Sequence, residues 1–438
     1  MLVLFIVDNI NLSNEMEFIN MEKYKIYTEM LKSELIVAMG CTEPIALSLA
    51  ACKLKEVLGD EPELMESFIC GNIIKNAKSV IVPNTNGLFG IEASLASGLV
   101  ANNSKLELEI LSKLNQNDVH NIKRILNENK IKVILANNCK TLYIQLIGYY
   151  KNNRVEIIIE DFHNNITFIK KNENILYAKE DLFEKKQQEY NLLTVGKIID
   201  FANNCSLEEL RPYLMRQIKY NYAIALEGLT GKYGASIGKI LLEKANSTQE
   251  RAKAFTAAAS DARMAGCDMP VVIISGSGNQ GITTSVPLVV YAKEYNIPEE
   301  KLLRSLIVSD LVALEEKKDI GRLSAFCGAI SAGAAALAGI TYMLGGDEEK
   351  VSHTIVNALA ISSGIICDGA KSSCAGKIVL ALEAGIIGYD MYLNNKEFKA
   401  GEGIIKKGVD NTIKNVGRLA SFGMKETDKE ILKMMIEE

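Results

Sequence analysis

The chain has 438 residues, of which 24% are charged, and a formal net charge of −5 at neutral pH. That length suggests two or three domains, and the acidic balance excludes broad electrostatic attraction for nucleic acid or anionic lipid, so a small polar or anionic ligand needs a local site. The nine cysteines are odd in number and scattered, which argues against a disulfide framework and makes most of them small apolar core residues.

The first 20 residues, MLVLFIVDNINLSNEMEFIN, hold a short apolar run with no basic segment and no small-residue cleavage site. They read as an N-terminal extension, or as an upstream start before Met21, of a cytoplasmic protein. Residues 21–58 have helical spacing interrupted at MGCTEP. SVIVPNTNGLFG (79–90) reads as a short strand entering a Gly/Asn/Pro loop. From 105 to 171, LELEIL alternates as a strand does and DVHNIKRILNENK is an amphipathic helix. IKVILA, TLYIQLIGYY, RVEIIIE and ITFIKK follow as strands.

After about residue 180 helical patterns take over, and VVIIS (271–275) is the strong strand candidate. The fold class is therefore α+β: a mainly helical domain of small-residue-rich helices around a central site, plus a smaller α+β module with a mostly antiparallel sheet. FCGAISAGAAALAGITYMLGG (326–346) is long enough to consider as a membrane span. It is rich in Ala and Gly and lacks aromatic or basic flanks, so a buried central helix is expected and no membrane partner.

SGSGNQG (275–281) formally matches Gly-x-Gly-x-x-Gly after a strand, but no second parallel strand ending in an acidic residue follows. What remains is a glycine loop whose N–H groups, at the start of a helix, suit a carboxylate; a tight strand–helix turn without a ligand reads equally well. GKYGASIGK lacks the spacing of a phosphate loop. His163, in DFHNN, either faces a ligand or fills a loop. Cys41 in GCTEP precedes a helix, where the dipole should lower its pKa. Cys327, Cys367 and Cys374 have Gly and Ala close by, which leaves room beside sulfur. By spacing alone dispersed core cysteines are the leading reading; three thiolates without histidine partners otherwise suit a soft metal or an iron–sulfur cluster.

Together GCTEP, SGSGNQG, CGAISAG and CDGAKSSCAGK resemble the L-cysteine desulfidase family, which is related to the α-domain of iron–sulfur L-serine dehydratases. The resemblance runs from about Met21 to the end. It implies a lyase of small β-substituted amino acids carrying a [4Fe–4S] cluster on Cys327, Cys367 and Cys374. Ser277, Gly278, Asn279 and Gln280 fall at the substrate-carboxylate site, and Cys41 falls at a separate N-terminal cysteine. The C-x6-C spacing of Cys367 and Cys374 favours the desulfidase branch.

On that basis residues 21–100 form an N-terminal helical segment contributing Cys41. Residues 101–190 form a regulatory or oligomerising α+β module, and 191–438 the helical catalytic domain of a homo-oligomer. Cys41 is the first candidate for the base and Lys371 or Lys377 the reserve, although for the two lysines a role as counter-charges comes ahead of catalysis. L-serine dehydration, a pyridoxal-phosphate lyase and a cluster-bearing redox sensor are the rival functions.

Overall fold

The computed structural model describes residues 24–179 and 183–437; the expected extension, 1–20, lies outside them. Helix α1 (residues 24–34) leads into a short strand β1 (Val37–Met39). Gly40, with φ of 63°, then turns the chain into α2 (Thr42–Leu58), and a Cβ there would stand 2.4 Å from Pro83. The interruption in the helical pattern is thus a strand and a tight turn that only glycine fits.

The smaller part continues through β2 (Leu64–Ile69), α3 (Gly71–Ala77), α4 (Gly90–Val100), α5 (Gln116–Asn127), β3 (Ile131–Leu135), β4 (Tyr143–Tyr150), β5 (Asn153–Glu160), β6 (Ile166–Lys171) and β7 (Asn174–Ala178). Its sheet has the order β3-β2-β4-β5-β6-β7, parallel only between β2 and β3. The sheet is thus mostly antiparallel, as expected, and it includes β2 from before residue 101. α2 lies across β4 and β5 and packs on α4. It is buried along most of its length, because its small residues meet sheet on one side and helices on the other.

Two local expectations fail. LELEIL is not a strand but mostly a 3-10 helix over Ser104–Glu109. The Glu56 carboxylate accepts from Ser104 N–H (2.7 Å) and hydroxyl (2.6 Å), and the Asn103 side chain accepts from Lys105 N–H, so local bonds outweigh the alternation. Residues 79–90 keep one bridge, Ile81 to Phe89, because Asn84, Asn86 and Gly87 turn back through positive φ.

The larger part comprises α6 (Phe183–Tyr190), α7 (Val195–Asn204), α8 (Arg211–Gly228), α9 (Ile237–Leu242), α10 (Thr248–Met264), β8 (Pro270–Val272), α11 (Gly278–Glu294), α12 (Glu299–Ile320), α13 (Gly328–Met343), α14 (Glu348–Ser362), α15 (Ser373–Leu393), α16 (Val409–Arg418) and α17 (Lys425–Ile436). α13 is the buried centre, packed on α11, α12, α14 and α15. Its small residues permit this: a Cβ at Gly333 would stand 2.6 Å from Ala381. Among the described residues no helix is long and apolar enough to cross a membrane. The expected strand at 271–275 is β8, paired antiparallel with β1 through Val37 and Val272.

Candidate active site

Four helices point their N-termini at one cavity. Cys41 is the N-cap of α2, Ser277 of α11 and Cys327 of α13, and Cys374 sits in the first turn of α15. The wall of the cavity carries Cys41, Cys327, Cys367 and Cys374 together with Asn279 and Gln280. Partial positive charge at four helix starts makes the cavity suited to thiolates and anionic ligands.

Each start is fixed by the chain around it. Cys327 and Cys367 are drawn together where the segments before α13 and α15 cross. Phe326 bridges Ile366, Cys327 N–H donates to Ile365 O (3.1 Å), and Cys367 N–H donates to Ala325 O (2.6 Å). Cys374 follows after a turn in which its N–H donates to Lys371 O.

At α11 the loop is held by Asn221 of α8, whose amide donates to Val272 O and Gly281 O and accepts from Val272 N–H. Ser277 Oγ accepts from Gln280 N–H. The N–H groups of Gly278 and Asn279, the first two of the helix, have no intrahelical acceptor. Gly278 does not itself line the cavity. A Cβ there would stand 2.2 Å from Arg263 Nε, so the glycine lets the guanidinium lie against the start of α11.

The expectation of a lowered Cys41 pKa is overturned. Burial pushes this thiol up to about 12, with Arg263 acting the other way, so desolvation outweighs the helix dipole and Cys41 keeps its proton at rest. Burial, and then Cys367, likewise raise Cys327 to about 12, and burial raises Cys374. Burial alone would raise Glu43 too, but His163 and then Arg263 hold it down to about 2. Glu43 accepts from Asn76 Nδ2 (3.0 Å) and stands 3.7 Å from His163 Nε2. Lys317, also on the wall, is drawn down to about 8 by burial, with the thiols of Cys367 and Cys327 opposing.

Lys371 is not brought to the cavity; it pairs with Asp368, which also takes Lys377 (2.5 Å). The two lysines thus pair with a carboxylate outside the cavity. Sequence reasoning passed over Asn76, Arg263 and Lys317 as site residues. Arg263 left a faint signal: a cation in an alanine-rich, buried helix, two residues after Asp261 in the chain. Among the described residues no three His, Cys, Asp or Glu side chains meet closely enough to hold a single metal ion.

The serine dehydratase alpha chain family model matches residues 105–433, which spans three of the four helix starts. The chain is 49% identical over 416 residues to a UPF0597 protein of Desulfitobacterium hafniense, covering 94% of this chain and 97% of that one. It is 50% identical over 415 residues to a UPF0597 protein of Finegoldia magna, covering 94% and 100%. A UPF0597 protein of Treponema denticola is 42% identical over 425 residues, covering 95% and 99%. With so long a match and relatives aligned nearly end to end, the chain belongs to the serine dehydratase alpha chain family and to the UPF0597 proteins.

Proposed function

We propose that the protein is a cytoplasmic iron–sulfur lyase that eliminates sulfide from L-cysteine, giving ammonia and pyruvate after hydrolysis. The observation that carries this reading is the placement of Cys327, Cys367 and Cys374 on three segments around one cavity that also receives the start of α11. The donor set fits a [4Fe–4S] cluster. Three thiols on one cavity wall are the soft donors that such a cluster takes. Gly328, Ala329, Gly369 and Ala370 line the same wall. A Cβ would stand 2.6 Å from Gln280 at Gly328 and 2.5 Å from the Lys75 carbonyl at Gly369, so its absence lets each of these close in.

When bound, a cluster with three protein ligands supplies an open iron, a Lewis acid for the departing sulfur. The chain's own groups do the rest. The N–H of Asn279 in the first turn of α11, without an intrahelical acceptor, is the backbone donor for the substrate carboxylate and helps to fix the α-carbon. Cys41 holds a proton on Sγ at rest, which suits it to protonate the departing group. Lys317 Nζ is a buried amine on the same wall and the candidate acceptor for the α-proton. Its only hydrogen bond among the described residues is a long one, 3.5 Å to Arg322 O.

Anaerobic purification with iron and sulfide analysis, followed by sulfide and pyruvate assays on L-cysteine and L-serine, tests the reading. Cys327→Ala, Cys367→Ala and Cys374→Ala should lose both iron and turnover. Cys41→Ala should keep iron and lose turnover. Faster pyruvate release from L-serine would make it a serine dehydratase. A tightly held cluster with no turnover and no spectral response to either amino acid would make it a redox sensor. A homo-oligomer also fits this reading: the edge strand β7 exposes Ile175, Leu176 and Tyr177, and light scattering checks it.

A further inference from the structure

Two arginines stand on the cavity wall, and they differ in one respect. Arg322 is committed: it pairs with Glu34 and lies 4.0 Å over the ring of Phe162. Arg263, in the last turn of α10, is 4% exposed, and its Nε has no hydrogen-bond partner. Among the described residues it forms no salt bridge, although Glu43 and the thiols of Cys41 and Cys374 lie within its electrostatic reach. Leaving a buried guanidinium without partners is costly, so its position is explained if a ligand supplies the missing acceptor.

The same wall presents a complementary set. Asn76 Oδ1, Asn279 Oδ1 and Gln280 Oε1 are buried acceptors without donors. The orientation of Asn76 is fixed by its bond to Glu43, so its oxygen is left facing an absent donor. An unpaired cation and three unpaired oxygens on one cavity wall suit a ligand with both an anionic group and hydrogen-bond donors. We infer that Arg263 is the anchor for the α-carboxylate of a zwitterionic amino acid, whose ammonium is read by the oxygens of Asn76, Asn279 and Gln280. This deepens the lyase reading and rests on it for the identity of the substrate. It makes Arg263, rather than the start of α11 alone, the residue that sets substrate class. Gly278 belongs to the same device, since any side chain there would displace the guanidinium.

The test uses the anaerobically purified, iron-containing protein and three probes that cannot undergo elimination: L-alanine, ethylamine (no carboxylate) and propionate (no ammonium). Calorimetry should show binding of L-alanine and much weaker binding of the other two. Arg263→Met should weaken L-alanine binding about 100-fold, as truncation of one partner of a buried charge pair does, with iron content unchanged. Its melting temperature should hold or rise, because an uncompensated buried charge has been removed; a purely structural arginine would lower it. Gly278→Ala should weaken L-alanine binding in the same way.

The inference is overturned if the wild type does not bind L-alanine, if Arg263→Met binds it normally, if ethylamine loses as much affinity in that variant, or if that variant melts well below the parent. Should Arg263-dependent binding coexist with no sulfide release from L-cysteine, the lyase reading falls and the anchor stands. Should Arg263→Met release sulfide with an unchanged KM, the anchor falls and the lyase reading stands.

Discussion

Asp310 offers a sharp test of how α11 is held at the site. This carboxyl is fully buried on α12. Its Oδ1 accepts from Gln217 Nε2 of α8 (3.0 Å) and from Thr284 Oγ1 of α11 (2.8 Å), while Oδ2 has no partner. Burial raises its pKa from 3.8 to about 7, and the two hydrogen bonds offset only part of that. A raised pKa means that the folded state binds the proton more tightly. The stabilisation is fully present below the unfolded pKa and is lost as pH rises through the folded one.

Between pH 5 and pH 8 the loss amounts to roughly two pKa units, or about 3 kcal/mol. Asp310→Asn keeps the accepting oxygen and cannot titrate. Urea unfolding of parent and variant at both pH values cancels the other titrating groups. The variant should gain about 3 kcal/mol on the parent between pH 5 and pH 8. A stability difference equal at both pH values, or one moving the other way, refutes the reasoning that desolvation dominates at this carboxyl.

Asn221→Ala removes the amide that ties β8 to α11 and leaves Val272 N–H without its acceptor. It should cost about 3 kcal/mol in denaturant unfolding and lower affinity for L-alanine as the start of α11 shifts. Lys371→Ala removes the side-chain bonds to Asp368 and no residue that lines the cavity, and it keeps the carbonyl that accepts from Cys374 N–H. Sulfide release should stay within about twofold of the parent, and a larger loss would restore Lys371 as a catalytic candidate.

Much of this architecture is legible in one dimension. Alternating strands between 131 and 171, the small-residue run of α13 and the glycine loop before α11 follow from periodicity and from what glycine permits. Such features depend on near neighbours in the chain. The three cysteines of the proposed cluster also announce themselves by their small companions. Where the sequence misleads, a distant partner or burial intervenes. LELEIL alternates, yet Glu56, about 50 residues earlier, claims Ser104 and bends it into a turn.

Cys41 sits at a helix start as expected, but its proton is decided by burial beneath segments hundreds of residues away. No spacing rule could expose Arg263, because an arginine lacks partners only once every surrounding segment is in place. Local pattern set the helices, the strands and the candidate thiols of this chain. The tertiary fold alone decided which groups face the cavity, which keep their protons and which charge is left waiting for a ligand, because desolvation and pairing depend on everything that packs around a site.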